Sequence, residues 1–483
     1  MNWIFKFGSR LCALSLLVPA AVIGSYGQTA ERLSQVNRLY INSLGTDTGA
    51  AQIREQLVRR LRRSRDVQVV SDLKDADALV RATGRIWVTG HVSLSPRSHS
   101  LGQAVFEGYL SVEVIGKRNE TLWSYLVTPG KFPWNGVADD LAHQLVNRLL
   151  RAIKEEGQLA PPGSSMEVKS KGTLRGAGAT FPSPLYQQWL ELFQDDHPDV
   201  HISYDAVGSE EGIQQLRERK VDFAASEMPL SDEAMSEAHQ RYIHVPSVLG
   251  AVVPIYNVKG LRQNLNFTPE TLSGIFLGKI RKWNDPQLTM SNRGAALPDA
   301  EIIVVHRSDG SGTSFVWTEY LSKISPQWKV AVGAGATVQW PVGVEAERNE
   351  GVASTVQRTP NSIGYVEFIY AIQHELRFGA VRNSAGRFIR ASISSVTAAA
   401  SSGASSQDFR VSITDPTSKD AYPIATYTWL LLPEQVKTNS TSEVLLDLIR
   451  WMLTSGQKKC SALGYAPLPL DVAKRALDAL DVK

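Results

Sequence analysis

The chain has 483 residues, with 51 Lys and Arg against 48 Asp and Glu, for a net charge of +3. That length suits two to four folding units, and the near-balanced charge gives no case for bulk nucleic-acid binding. With 43% hydrophobic and 20% charged residues, the mixture is that of an ordinary globular protein and not of a disordered chain.

In chain order, Lys6 and Arg10 precede an apolar run over 11–23, and the small residues Gly24 and Ser25 follow. A basic start, a short apolar core and a small-residue exit describe a secretory signal peptide over 1–27, cleaved near Gly27. The run is too short to span a bilayer as a helix. Cys12 lies inside it, so Cys460 is the only cysteine of the mature chain and is expected to be a buried thiol.

A small α+β domain is expected over 31–155. Strands are read at 38–41, 67–70, 78–92, 104–115 and 122–126. Amphipathic helices are read at 50–61 and 137–153, the second with Leu141, Leu145, Leu149 and Ile153 at four-residue spacing. Arg59, Arg60, Arg62, Arg63 and Arg65 read best as a solvated helix end, where cations suit the C-terminal dipole. No motif in this stretch carries chemistry. A seam rich in Pro, Gly, Ser and Lys over 156–171 reads as a linker.

From 172 to 480 strands and helices alternate, as in an α/β protein. Four turns stand before helices. Gly176 to Pro182 is small and follows a strand, so its backbone can approach a ligand with free N–H groups at the helix start. Val207 to Gly212 offers Ser209, which also reads as a helix cap. Asp222 to Pro229 places Glu227 just after a buried strand, where α/β folds bind ligands. Arg307 to Ser314 joins a planar guanidinium fork to Asp309, Ser311, Gly312 and Thr313. It is neither a hydrolase elbow nor a phosphate loop of the Gly-Lys-Ser type. His374-Glu375 lacks the second histidine of a zinc-protease helix, since Phe378 stands there. Donors dominate the set and one carboxylate stands out. A protonated oxyanion such as phosphate can donate to that carboxylate, whereas sulfate has no proton to give.

These residues also carry a resemblance. GAGATFPSPLY from Gly176, VDFAASEMPLS from Val221, IFLGKIRKWNDP from Ile275 and HRSDGSGTSFVWTEYL from His306 resemble the phosphate-binding subunit of bacterial phosphate ABC transporters. So do TVQWPVG from Thr337, SIGYVEFIYA from Ser362 and DAYPIATYTWLLL from Asp420. The resemblance implies a two-lobed type II periplasmic binding protein fold, with lobe one over 172–248 and 424–480 and lobe two over 249–423. It implies Thr180, Phe181 (through its N–H), Ser209, Glu227, Arg307, Ser311, Gly312 and Thr313 as phosphate ligands, with Asp309 supporting the arginine. Three departures from the family pattern bear on affinity and selectivity: Glu227 where the family has Asp, the carboxylates Glu210 and Glu211 beside Ser209, and a glycine-poor loop over 344–348.

The implied role is phosphate capture in the periplasm and delivery to a permease with a cytoplasmic ATPase. The expected protein is a monomer with no cofactor, no metal, no catalytic residue and no nucleic-acid partner, and it meets the membrane only through the permease. The alternatives are an envelope phosphate sensor or scaffold that docks a partner through its N-terminal domain, and a phosphohydrolase.

Overall fold

The computed structural model describes residues 32–45, 48–92, 103–117, 121–127, 136–158, 172–237, 241–259, 261, 264–374, 376–401, 409–434, 440–460 and 463–481. The expected signal segment and most of the expected linker lie outside them.

The first sheet uses β1 (Arg38–Ile41), β2 (Gln68–Val70), β3 (Ala78–Val92), β4 (Gln103–Gly116) and β5 (Thr121–Val127) in the order β2-β1-β3-β4-β5. The strands β1, β2 and β3 pair parallel, and β3, β4 and β5 pair antiparallel. Helices α1 (Thr48–Arg63) and α2 (Val137–Gln158) cover it. Ile53, Leu57 and Leu61 of α1 meet Leu141, Leu145 and Leu149 of α2 in a hydrophobic cluster separate from that of the larger unit. The helical period puts these residues on one face of each helix, which is why the two helices pack together.

Two expectations change here. Arg60 lies 2.6 Å from Asp139, and Arg59 lies 3.6 Å from it, so part of the basic run links α1 to the first turn of α2. Helix α2 continues to Gln158, past the expected seam at 156. Lys154, Glu155 and Glu156 are good helix formers, and the helix carries on through Gly157.

The larger unit opens with β6 (Gly172–Gly178), α3 (Ser183–Asp196), β7 (Val200–Asp205), α4 (Ser209–Arg217), β8 (Phe223–Ser226), α5 (Asp232–Glu237) and the long β9 (Tyr242–Asn257). It goes on through β10 (Asn266–Phe267), α6 (Pro269–Phe276), α7 (Pro286–Ser291), β11 (Ile303–Arg307), α8 (Gly312–Ile324) and α9 (Pro326–Ala331). Next come β12 (Val344–Ala346), α10 (Arg348–Arg358), β13 (Ser362–Glu367), α11 (Phe368–Gln373), β14 (Arg377–Phe378), β15 (Ala380–Arg382), β16 (Phe388–Ile389) and α12 (Ile393–Ser401). It closes with β17 (Ala425–Pro433), α13 (Ser440–Trp451), α14 (Gln457–Cys460) and α15 (Leu470–Asp481).

Its main sheet has the order β12-β11-β13-β9-β17-β8-β6-β7, with β14 also on β9. One lobe gathers around β6, β7 and β8, the other around β11, β12 and β13. Strand β9 serves both. Its first part pairs with β17 through Ala251, and its last part, from Val252 to Asn257, pairs with β13. The expected lobe boundary at 248/249 thus falls inside a continuous strand. The parallel strands of each lobe aim their carboxyl ends, and the helix starts that follow, at the cleft between the lobes.

Leu145 is fully buried between the N-terminal helices and their sheet. Leu145→Ala is expected to cost about 3 kcal/mol, read as a lower unfolding midpoint of this unit by hydrogen exchange of α1 and α2.

Candidate functional site

Four turns meet in the cleft. Gly178 ends β6 at φ +136, and a Cβ there would collide with the carbonyl of Ala225, so the first turn sits directly on β8. Thr180 and Phe181 follow it and are buried. The carbonyl of Phe181 accepts from the Tyr465 hydroxyl at 2.7 Å. Ser209 is the first residue of α4. Its side chain does not cap that helix, since Gly208 is the cap and makes no side-chain bond. Ser209 Oγ is fully buried and makes no aligned hydrogen bond.

Arg307 ends β11 with its side chain 1% exposed. Asp309 takes Nε at 2.6 Å and also Nη2, which leaves Nη1 buried and unpartnered. Burial alone would raise the Asp309 carboxyl, but hydrogen bonds and charge from Arg307 outweigh it and hold the group below its ordinary value. The backbone N–H of Arg348 adds a third bond to Asp309 at 3.0 Å. Behind Arg307, Tyr365 accepts its N–H at 3.2 Å and shares a 2.6 Å bond with Ser314, while its ring stacks on Trp317 at 5.1 Å. Asp309 therefore holds the guanidinium, and Tyr365 holds the backbone of the same residue.

Ser311 caps α8 by accepting from the N–H of Ser314 at 3.1 Å. Its own proton stays free to donate. The same logic governs the threonines. Asn349 Nδ2 donates to Thr180 Oγ1 at 2.9 Å and to Thr313 Oγ1 at 3.2 Å, so both hydroxyls keep a proton for another acceptor. Its Oδ1 accepts from the N–H of Glu367 at 3.1 Å. Asn349 thus ties a residue of each lobe into one cluster.

Glu227 is 1% exposed. Oε1 accepts from Thr428 Oγ1 at 2.7 Å, and Oε2 has no partner. A Cβ at Gly312 would collide with Glu227 Oε2 and with Ser209 Oγ, so only glycine lets α8 begin here. Burial pushes the Glu227 carboxyl up to about 8, while Thr428, Arg307 and the nearby Ser209 pull the other way. Glu367 is buried as the cap of α11. Burial raises its carboxyl well above the ordinary range, and the charge of Glu227 adds to that.

The structure thus brings Thr180, Phe181, Ser209, Glu227, Arg307, Ser311, Gly312 and Thr313 into one buried cluster. Asn349, Thr428 and Glu367 were not singled out from sequence. They stand in strands or at a helix start far along the chain, and only tertiary packing gives them their role. Glu210 and Glu211 do not crowd the cluster. Glu210 Oε2 accepts from Thr337 Oγ1 at 2.9 Å across the cleft, and its N–H donates to the Gly310 carbonyl at 3.1 Å. Glu211 bonds Gln215 on its own helix. His374 is buried against Glu113 of β4, 3.5 Å away. Cys460 is a buried free thiol whose pKa burial raises.

Hydroxyl protons, one guanidinium N–H and helix-start N–H groups can together hold a small oxyanion, and one carboxyl beside them can share a proton with it. Fold and site define the class, a two-lobed binding protein of type II. The PBP superfamily domain matches residues 163–455. The phosphate-binding protein PstS of Xylella fastidiosa is 40% identical over 326 residues, 67% of this chain and 88% of that protein. PstS of Pasteurella multocida is 39% identical over 306 residues, 63% of this chain and 88% of that one. PstS of Methanocaldococcus jannaschii is 35% identical over 344 residues, 66% and 88%. A solved ancestral soluble variant of the human phosphate binding protein superposes with TM-score 0.50 at 21% identity, covering 63% of this chain and 92% of that one. This chain belongs to the PBP superfamily, in the family of the PstS phosphate-binding proteins.

An acid whose folded pKa is raised holds its proton more tightly folded than unfolded. That margin is full below the ordinary value of 4.5 and is lost as pH rises to about 8. The thermal midpoint of the ligand-free protein is expected to fall between pH 5 and 8, and Glu227→Gln to flatten that slope.

Proposed function

We propose that this chain is a periplasmic solute-binding protein that captures inorganic phosphate and hands it to an ABC importer. Permease subunits with a cytoplasmic ATPase are its partners. It works as a monomer, exported by a signal peptide over 1–27. A domain from 31 to the end of α2 and a linker up to 171 precede the phosphate-binding domain. Its site is Thr180, Phe181, Ser209, Glu227, Arg307, Ser311, Gly312 and Thr313, with Asp309 in support. No residue is assigned a catalytic role.

One observation carries the reading. Ser209 Oγ, Arg307 Nη1 and Glu227 Oε2 are all buried and unpartnered in one cluster. Buried polar atoms are rarely left so unless a ligand or water completes them. Two of the three can donate. The third is a carboxyl that holds its own proton at neutral pH and can pass or share it.

Selectivity then depends on pH. Above about 8 the Glu227 carboxylate can still accept a proton from phosphate, but it repels a sulfate that has none. Below that, the neutral acid can donate to either anion. Calorimetric titration with phosphate, arsenate and sulfate is expected to give a phosphate preference over sulfate that grows from pH 6 to 9. Glu227→Gln is expected to lower and level that preference. Equal binding of sulfate and phosphate by the unmutated protein at every pH would sink the proton-sharing role.

Glu210 reaches Thr337 across the cleft with its side chain and Gly310 with its backbone N–H. Glu210→Ala is expected to weaken phosphate binding by about 1 kcal/mol through the lost bond to Thr337. The readout is the dissociation constant, with Glu210→Gln retaining most of the affinity.

A further inference from the structure

The N-terminal unit touches both sides of the cleft. Against the first lobe, Arg148 of α2 pairs with Glu191 and reaches Asp195 at 3.6 Å, and Arg151 meets Asp195 at 3.2 Å. Both carboxylates stand on α3, the helix that starts just after Thr180 and Phe181. Against the second lobe, Thr83 Oγ1 of β3 donates to the carbonyl of Gln373 at 2.9 Å. Glu113 Oε1 of β4 lies 3.5 Å from His374 Nε2 there, and both residues are buried. Burial alone would raise the Glu113 carboxyl, but His374 and Arg81 outweigh it and keep the group below its ordinary value. A charge of the N-terminal unit is thus retained inside the contact.

Helix α11 is the common part. Its last residue is Gln373, and His374 follows it. One turn earlier the Tyr370 hydroxyl donates to the Thr180 carbonyl at 2.5 Å. A single short helix therefore joins the N-terminal unit to the loop that holds Thr180. Between the two footings lies a cavity of about 600 Å³, lined by Arg81, Glu113, Ser183, Arg348, Glu350 and Tyr370 among others. The unit thus rests on polar footings at each lobe, with β5 also lying along α3 and this cavity beside them, a contact of the kind that domains make and break.

We infer that the N-terminal unit is a clasp that grips both lobes when the cleft is shut and slows its opening, so that it sets how long the anion is held. The inference rests on the phosphate reading above. Lobes that swing apart change the separation of α3 and α11, and the unit cannot then keep both footings. Contacts made only in the closed state favour it, and by linkage they tighten any ligand whose binding requires closure.

The test uses the full-length protein. Phosphate dissociation is timed by stopped flow for the parent, Arg151→Glu and Glu113→Gln. The separation of the lobes without ligand is read from spin labels on α3 and α10. Arg151 is 56% exposed, so its reversal leaves the core untouched. Each variant is expected to release phosphate about two- to fivefold faster, the worth of a partly exposed ion pair, and to populate longer lobe separations. Unchanged dissociation and unchanged separation, with amide protection of β3 and β4 intact, overturn the clasp. An effect from only one of the two variants also overturns it, because a clasp needs both footings. A parent that binds no phosphate sinks the ligand reading and leaves the lobe separations to judge the clasp.

Discussion

A guanidinium can be shut away from water only if its charge is answered. In this chain Asp309 answers Arg307, two positions along the same turn. The pair fixes two of the three nitrogens and leaves the third aimed at nothing in the protein. Removing one partner of a buried pair usually costs about 3–5 kcal/mol. Much of the second lobe supports this arrangement. Tyr365, stacked on Trp317, steadies the backbone of Arg307, and Arg348 steadies Asp309. The donors of Ser311, Gly312 and Thr313 follow because α8 begins where this turn ends.

The first lobe answers with a carboxyl instead of a cation. Glu227 carries one more methylene than the aspartate expected of the family. It is accommodated by Thr428 on one oxygen and by the bare backbone of Gly312 beside the other. Its proton is a product of burial, and Glu367 nearby works in the same direction. The site therefore meets an anion with one fixed positive charge and one adjustable neutral group.

Much of this was legible in the sequence. The four turns announce themselves by small residues and hydroxyls between an apolar strand and a helical period, and Arg307 and Asp309 lie two residues apart. Strands 38–41 and 78–92 and the Leu141, Leu145, Leu149 face were equally plain, since alternation and four-residue spacing report burial directly. What escaped depends on distance in the chain. Asn349 meets Thr180 across 169 positions and Thr428 meets Glu227 across 201, and no local pattern marks either. For Ser209 only the second reading, as a cap, fails. Its type suits a cap, but Gly208 at φ +103 takes that place and frees the hydroxyl. The arginines after 58 read as solvated because Asp139, which pairs two of them, stands some eighty residues on.

Strand β9 has a mechanical consequence. It is one unbroken strand, knit to β17 on the way in and to β13 on the way out. The lobes are therefore not beads on a string but two ends of a shared beam. Each lobe keeps its own pairing on this strand, β17 on one stretch and β13 on the next, so the passage between the lobes falls at Ala251 and Val252. The strand that both lobes share lies in the middle of the sheet, with the edges left to β12 and β7 at its two ends, so the junction itself offers no unpaired edge to a neighbour.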